Sequence, residues 1–193
     1  MTASALDHQT YVIRKQFLKL FGGKFRIYDP YGRLVLFANQ RAFKLREDIR
    51  LYTGEDMQEE ALLIKARSII DWSSAYDVID AASEQKIGAL KRKGWKSILQ
   101  DEWVVMDADD NEIGFIREDS VALALLRRFL TNLVPQRYHA EIDGVPVATY
   151  RQNFNPLTLR LMCDFSADQT HTFDRRLGLA AGVLLCAIEG RQN

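Results

Sequence analysis

The feature that most constrains this chain is the stretch from Leu177 to Ile188, which contains no charged or strongly polar residue. On a helical wheel its large apolar side chains point in every direction, and a helix that is apolar on all sides must be buried on all sides. Twelve helical residues rise about 18 Å, well short of a bilayer core of about 30 Å. Gly178 and Gly182 match the small-xxx-small pattern of membrane helices. Because the helix is too short to cross a bilayer, we favour the other interpretation, that these glycines let surrounding backbone approach the helix closely. The stretch therefore predicts a helix buried in protein, with Asp174 placed to cap its start.

A repeat of about 26 residues organises the first two thirds of the chain. Three copies of a basic-x-large-apolar pattern each follow the last by 26 residues: Arg41-Ala42-Phe43, Arg67-Ser68-Ile69 and Lys93-Gly94-Trp95. Ahead of each copy lie two short strand-like runs separated by a polar turn, as in Phe25–Asp29 followed by Leu34–Phe37. A unit this short holds two strands, so the repeat predicts an antiparallel meander.

Further strands follow in the last third. Asp143-Gly144 between two apolar runs is a strong hairpin signal, and Pro146 predicts an edge or a bulge in its strand. With the alternating run from Leu159 to Phe165, the count reaches about twelve strands. An eight-stranded barrel has room only for its own side chains, whereas more strands can surround a helix about 10–12 Å across. We predict a mainly β (α+β) fold, a barrel of about twelve antiparallel strands enclosing the hydrophobic C-terminal helix, in a single domain over residues 1–193.

An amphipathic segment interrupts the meander after Asp119-Ser120, a suitable helix N-cap. Apolar residues recur at the spacing of one helix face: Ala122, Leu125, Leu126, Phe129, Leu130 and Leu133. Arg127 and Arg128 lie on the other side, and Pro135 ends the segment. With only two basic residues, it predicts a helix near residues 120–133 packed on the sheet rather than one lying on a membrane.

Composition and motifs exclude several functions. Lys plus Arg and Asp plus Glu both number 26 in 193 residues, so the formal net charge is zero, unlike that of a typical duplex nucleic-acid binder. Two cysteines and three histidines lack the spacing of a zinc site, and neither a P-loop nor a Gly-x-Ser-x-Gly elbow is present. We therefore expect a non-catalytic protein without cofactor, metal or nucleic-acid partner. A small-molecule enzyme with a surface cleft is the least favoured alternative.

One acidic stretch has partial calcium-site spacing. Asp107, Asp109, Asn111 and Glu118 stand at positions 1, 3, 5 and 12 of an EF-hand loop. Position 6, where the sharp turn needs glycine, is Glu112, and both flanks are strand-like. The stretch is therefore interpreted as an acidic hairpin turn.

Several segments together resemble the LURP-one-related family, whose wider group includes tubby C-terminal domains and phospholipid scramblases. The segments that carry the resemblance are Tyr11–Gln16, Phe25–Gly32, Ile87–Trp95, Trp103–Asp107, Ile113–Ile116 and Leu177–Ile188. The resemblance implies a twelve-stranded barrel around a central helix. It also implies a link to membranes, because tubby domains bind phosphoinositides and scramblases are tied to calcium and membranes. The scramblase calcium segment precedes the C-terminal helix, and here that region has only Asp164 and Asp168.

The densest basic cluster is Lys91, Arg92, Lys93, Trp95 and Lys96. Lysine and arginine can hold phosphate groups while tryptophan lies at a headgroup interface, so this cluster is the candidate site for a phosphoinositide or another anionic phospholipid. The alternative is a solvated hairpin rim with Trp95 turned into the core. The sequence thus predicts a cytoplasmic binding module that associates peripherally with a membrane surface, or a protein-interaction domain that binds no lipid.

Overall fold

The computed structural model describes residues 6–17, 23–40, 48–67, 75–93, 102–119, 136–153 and 158–188. These residues form twelve strands and one long helix. The strands are β1 (Thr10–Phe17), β2 (Gly23–Tyr28), β3 (Leu34–Gln40), β4 (Ile49–Tyr52), β5 (Glu60–Ala66), β6 (Ala75–Asp80), β7 (Lys86–Arg92), β8 (Glu102–Met106), β9 (Glu112–Glu118), β10 (Arg137–Ile142), β11 (Val145–Asn153) and β12 (Thr158–Asp164). The helix is α1 (Arg175–Ile188).

The sheet is a closed antiparallel barrel in which each strand pairs with the next one along the chain. The ring is completed where β1 pairs with both β2 and β12, so that Val12 lies opposite Tyr28 on one side and opposite Met162 on the other. Closure leaves no strand edge unpaired around the ring. The predicted twelve-stranded antiparallel barrel and C-terminal helix are confirmed.

The repeat corresponds to successive hairpins of this barrel. Their first strands begin 26, 26 and 27 residues apart, at Gly23, Ile49, Ala75 and Glu102. The basic residue of the repeat follows the second strand, and its backbone N–H donates to the first residue of the next hairpin, from Arg67 to Ala75 and from Lys93 to Glu102, both at 2.9 Å. The side chains of Arg67 and Lys93 also form ion pairs with Asp77 and Glu102. The repeated basic residue therefore joins one hairpin to the next.

The hairpin turns use the acidic residues that end the first strands. Oδ1 of Asp107 accepts the backbone N–H groups of Asp109 and Asn111, both at 2.9 Å, and Asp29 and Asp80 make equivalent bonds within their own turns. Such bonds stabilise a turn locally. The interpretation of the stretch after Asp107 as an acidic hairpin turn is confirmed.

The hairpin between β10 and β11 also follows its sequence signals. Asp143 and Gly144 have φ values of 50° and 77°, as a tight two-residue hairpin turn requires. The register then shifts beside Pro146, leaving Val147 as an extra residue between the two pairings, which is the expected bulge.

The core combines α1 with alternate residues of the strands. Every residue of α1 from 177 to 187 is buried, and the helix contacts β1, β7 and β12. Strands β1 and β7 lie six positions apart in a ring of twelve. A methyl group added at Gly182 would lie 2.6 Å from Ile13 Cδ1, and one added at Gly88 would lie 2.9 Å from Leu177 Cδ2. We call the sheet face that carries this core the inner face and the opposite one the outer face.

Both ends of α1 are satisfied by side chains. Asp174 Oδ1 accepts the N–H of Arg176 at 2.8 Å, which confirms the predicted cap. At the other end, the buried Lys15 of β1 donates from Nζ to the carbonyl oxygen of Cys186 at 2.8 Å. The last carbonyls of a helix lack partners within the helix and carry partial negative charge, so a cation stabilises them.

The predicted amphipathic helix near residues 120–133 lies outside the described residues.

Candidate functional site

Arginines collect on the outer face where β10, β11, β12, β1 and β2 lie side by side. The register places Arg14 of β1 directly opposite Arg160 of β12, and Arg137 of β10 directly opposite Arg151 of β11. Met162 lies between the two pairs, opposite Arg151 on one side and Val12 on the other. We call this surface, defined by Arg14, Arg137, Arg151, Arg160 and Met162, the arginine face.

The four arginines are exposed, and within the described parts of the chain none of them forms an ion pair. Arg14 stacks its guanidinium on the ring of Tyr28, 4.9 Å from the ring centre. Side chains directly opposite each other in antiparallel strands lie about 4.5–5.5 Å apart at Cβ, and like charges placed so are destabilising. The arginine face therefore concentrates positive charge that the described residues leave uncompensated.

Neutralised and polar groups border this face. On β2, Arg26 donates from Nε and Nη2 to both carboxylate oxygens of Glu55, at 2.7 and 3.0 Å. That bidentate bond holds the pKa of Glu55 below its usual value. At the other border, His139 of β10 lies 2.7 Å from Asp119. The uncompensated charge thus lies on β1, β10, β11 and β12.

Exposed apolar surface lies at the centre of the arginine face. Met162 is 47% exposed, while Val12 and Tyr28 nearby are half-buried. Arginine, methionine and tyrosine are residues that binding surfaces favour. The arrangement can therefore contact both a negative charge and an apolar group.

The structure separates the members of the predicted basic cluster. Lys91 and Lys93 lie on the outer face, whereas Arg92 lies opposite the buried Trp103 and so belongs to the inner face. Adjacent residues of a strand point to opposite sides, which is why three consecutive cations do not form one patch. Trp95 and Lys96 lie outside the described residues.

Lys93 is engaged in an ion network on the outer face. Its Nζ and the Nε of Arg117 both donate to the carboxylate of Glu102, the latter at 2.8 Å. Burial alone would raise the pKa of Glu102, but these two bonds outweigh it and hold the pKa below its usual value. In this network Lys93 fixes β8 to the link before it.

Nucleophilic chemistry finds no support in the cysteines. Both are free thiols and fully buried, Cys163 on β12 and Cys186 in α1. Burial raises the pKa of Cys163 well above its usual value and that of Cys186 to about 12. Because the thiolate is the reactive form, both side chains act as small apolar groups.

A buried ion pair holds the loop that leads into α1. Asp168 and Arg175, with side chains 1% and 7% exposed, join Oδ2 to Nη1 at 2.7 Å. Burial alone would raise the pKa of Asp168, but the bonds from Arg175 and from the backbone N–H groups of Phe173 and Thr172 outweigh it and lower the pKa. Each partner compensates the other, so the pair fastens this loop.

The structure brings no three His, Cys, Asp or Glu side chains into a metal-binding group within the described ranges. The carboxylate of Asp107, first in the calcium-like spacing, is occupied by its own turn.

Sequence reasoning missed the arginine face because its residues come from both ends of the chain. Four of the five side chains lie on the consecutive strands β10, β11 and β12, and the closure of β1 onto β12 adds Arg14 from near the start of the sequence. Alternation did carry a partial signal, since Arg160 stands between Leu159 and Leu161, which both face inward.

Of the helices that the structure describes, none has the length and apolar character needed to cross a membrane. No protein-family model matches the chain, and neither a curated protein nor a solved structure shows significant similarity to it.

Proposed function

We propose that this protein is a non-catalytic binding module that recognises an anionic membrane surface through the arginine face. The observation that carries the proposal is the pair of like-charge contacts, Arg14 opposite Arg160 and Arg137 opposite Arg151, exposed and without ion pairs in the described chain. Breaking a rule of strand pairing costs stability, and such costs are retained where function requires them. An anionic ligand would compensate all four charges together.

The apolar centre of the face favours a membrane over a nucleic acid. Duplex DNA presents phosphates that basic side chains neutralise, and it offers no partner for an exposed Met162. At a headgroup layer, an apolar side chain can enter the boundary region while arginines around it bind phosphate. The resemblance to the LURP-one-related family, whose wider group includes the phosphoinositide-binding tubby domains, points to the same ligand class.

We also infer that the barrel encloses α1, which would give the arginine face a rigid support. The inference is supported by the contacts of α1 with β1 and β7, strands that lie six positions apart around the ring. It is also supported by the burial of every helix residue from 177 to 187. Side chains on a barrel packed from within hold fixed spacing, which favours recognition of multiple charges.

The expected affinity is weak and sensitive to salt. Each basic residue near an anionic bilayer contributes about 1 kcal/mol, so four contribute about 4 kcal/mol, or roughly a 10³-fold increase in partitioning. Because the formal net charge is zero, no long-range field adds to this local attraction. Screening shortens from about 10 Å at 0.1 M salt to about 3 Å at 1 M, so binding should be lost at high salt.

The test uses charge reversal that improves strand pairing. Arg160→Glu and Arg151→Glu each convert a like-charge contact into an opposite-charge pair, with Arg14 and Arg137 respectively. Each new pair should add about 0.2–1 kcal/mol to stability. The double variant should therefore unfold at higher urea concentration while losing sedimentation with phosphatidylcholine vesicles that contain phosphatidylserine or a phosphoinositide. Pure phosphatidylcholine vesicles serve as the neutral control.

The matched comparison is the predicted cluster, with Lys91, Arg92, Lys93 and Lys96 changed to Ala. If this variant still sediments with the anionic vesicles while the arginine variant does not, binding belongs to the arginine face. The reverse pattern moves the site to the cluster. No sedimentation of the wild type, or stronger binding to nucleic acid than to vesicles, overturns the membrane proposal and leaves a protein-interaction role.

A further inference from the structure

A fifth arginine continues the arginine face across the barrel. The strand register places Arg26 of β2 directly opposite Arg14, whose other neighbour is Arg160. Five adjacent strands thus each carry one outward-facing arginine, in a row that spans about 19 Å: Arg137, Arg151, Arg160, Arg14 and Arg26. Among the described residues, Arg26 is the member of this row that has a carboxylate partner.

The guanidinium of Arg26 is occupied by groups of the protein itself. Glu55 accepts from Nε and Nη2 at 2.7 and 3.0 Å, and the side-chain oxygen of Gln16 accepts from Nη1 at 3.2 Å. Arginine binds carboxylate and phosphate in the same way, through two parallel hydrogen bonds from its planar fork. The carboxylate of Glu55 therefore lies where a phosphate group would bind.

The local fold does not depend on this contact. Glu55 belongs to the turn between β4 and β5, and β3 separates that hairpin from β2. The turn has a backbone bond of its own, from the N–H of Thr53 to the carbonyl oxygen of Glu59 at 3.0 Å. The side chain of Glu55 is 48% exposed, and exposed ion pairs contribute little to stability. The contact with Arg26 can therefore break while the turn stays folded.

We infer that Glu55 is an internal competitor for the anionic ligand of the arginine face. On a membrane, a lipid phosphate takes the place of the Glu55 carboxylate, and Arg26 becomes a further cation of the face. Away from a membrane, the carboxylate keeps Arg26 neutralised. The inference rests on the membrane proposal and adds regulation to the same site, because any change that removes the charge of Glu55 raises the affinity.

The test is the Glu55→Gln variant, measured by sedimentation with phosphatidylcholine vesicles that contain phosphatidylserine, at about 0.1 M salt. The variant should partition onto these vesicles about fivefold more strongly than the wild type, since one more basic residue near an anionic surface contributes about 1 kcal/mol. Pure phosphatidylcholine vesicles are the neutral control. Urea unfolding of each variant checks that the barrel is intact.

The chain offers a matched control in the ion pair of Glu60 with Arg50, which join Oε2 to Nη1 at 2.6 Å. Glu60→Gln makes the same change in net charge and also releases one arginine. Arg50 lies on β4, three positions from β1 in the ring of twelve. That separation is about 14 Å, beyond the screening length of about 10 Å at 0.1 M salt, so partitioning should change by less than about twofold.

A second substitution shows whether the increase acts through Arg26. Adding Arg26→Gln to Glu55→Gln should return partitioning to the level of the wild type. An increase that persists in this double variant, or an equal increase in Glu60→Gln, overturns the inference, because loss of a negative charge anywhere would then suffice.

The remaining outcomes separate this inference from the membrane proposal. If the wild type sediments and Glu55→Gln binds no better, the competitor role of Glu55 is wrong and the membrane proposal stands. If Glu55→Gln loses cooperative unfolding in urea, the inference is also overturned, because the contact would then be required for the fold. If the wild type does not sediment, both fall together.

Discussion

Replacing Gly178 with alanine tests whether α1 is pressed against the barrel. In most helices this change is favourable, because alanine has a helix propensity about 1 kcal/mol better than glycine. Here the added Cβ would lie 2.5 Å from Cε1 and 2.8 Å from Cζ of Phe165, and 3.2 Å from Cε1 of Phe173. Ordinary contacts between carbon atoms are about 3.5–4.0 Å, so the ring of Phe165 must move by about 1 Å.

The surroundings of Phe165 oppose that movement. The ring is fully buried, and the rings of Tyr11, Tyr150 and Phe173 each lie 6.2 Å from it, centre to centre. The guanidinium of Arg175 covers its face at 4.7 Å. Overpacking a filled core costs about 1–3 kcal/mol, and a ring enclosed in this way belongs at the upper end. After the propensity gain, Gly178→Ala should reduce the free energy of unfolding by about 1–2 kcal/mol.

Urea unfolding followed by circular dichroism measures this loss. With an m value of about 2 kcal/mol/M, the midpoint should fall by about 0.5–1 M. Gly182→Ala is the comparison variant. Its added Cβ would contact the flexible end of the Ile13 side chain at 2.6 Å, so this variant should lose less stability than Gly178→Ala. Phe165→Leu in the Gly178→Ala background should recover part of the loss, as a favourable coupling of about 1 kcal/mol in a double-mutant cycle.

A Gly178→Ala protein as stable as the wild type, or more so, would refute the reasoning. It would mean that helix propensity outweighs the contact, and therefore that α1 is not held tightly against Phe165. Additive effects of Gly178→Ala and Phe165→Leu would lead to the same conclusion.

Three further predictions concern the buried groups. Leu184→Asp should prevent stable folding, because it places an unpaired charge at a fully buried position, and soluble expression with a cooperative urea transition would contradict this. Asp168→Asn should cost about 3–5 kcal/mol by leaving Arg175 buried without its partner, as urea unfolding near neutral pH would measure. The folded-state pKa of Asp168 is lowered, so its contribution to the free energy of unfolding is complete above the unfolded pKa of about 3.9 and is lost as pH falls through the folded value. Asp168→Asn should therefore flatten the acid side of the plot of stability against pH. An unchanged slope there would argue against the ion pair. Cys163 and Cys186 should resist a thiol reagent until urea unfolds the protein, and fast labelling of the native state would mean that the core is open.

The sequence was informative where local patterns are strong. The alternation from Leu159 to Phe165 and the Asp143-Gly144 turn predict a strand and a hairpin that the structure confirms, because each signal depends only on neighbouring residues. The count of about twelve strands also held, since the repeat fixes two strands in each unit.

The candidate site was less accessible to sequence reasoning for a physical reason. Lys91, Arg92 and Lys93 are adjacent in sequence, yet a strand sends Arg92 to the face opposite its neighbours. Arg14 and Arg160 are distant in sequence, yet the register of β1 on β12 places them side by side. Charge density along the chain therefore does not measure charge density on a barrel, which depends on strand pairing and on which residues face outward.

The seam between β1 and β12 has a consequence for synthesis of the protein. Thr10 pairs with Asp164, and Lys15 reaches the carbonyl of Cys186, so the first strand completes its contacts only with the last elements made. At about 5–20 residues per second, the ribosome leaves the β1 edge without β12 for roughly 8–30 s. A nascent chain with an unpaired strand edge is open to association with neighbouring chains. Ring closure must therefore wait until β12 has been translated, and until then the β1 edge is the part of the sheet most open to wrong pairing.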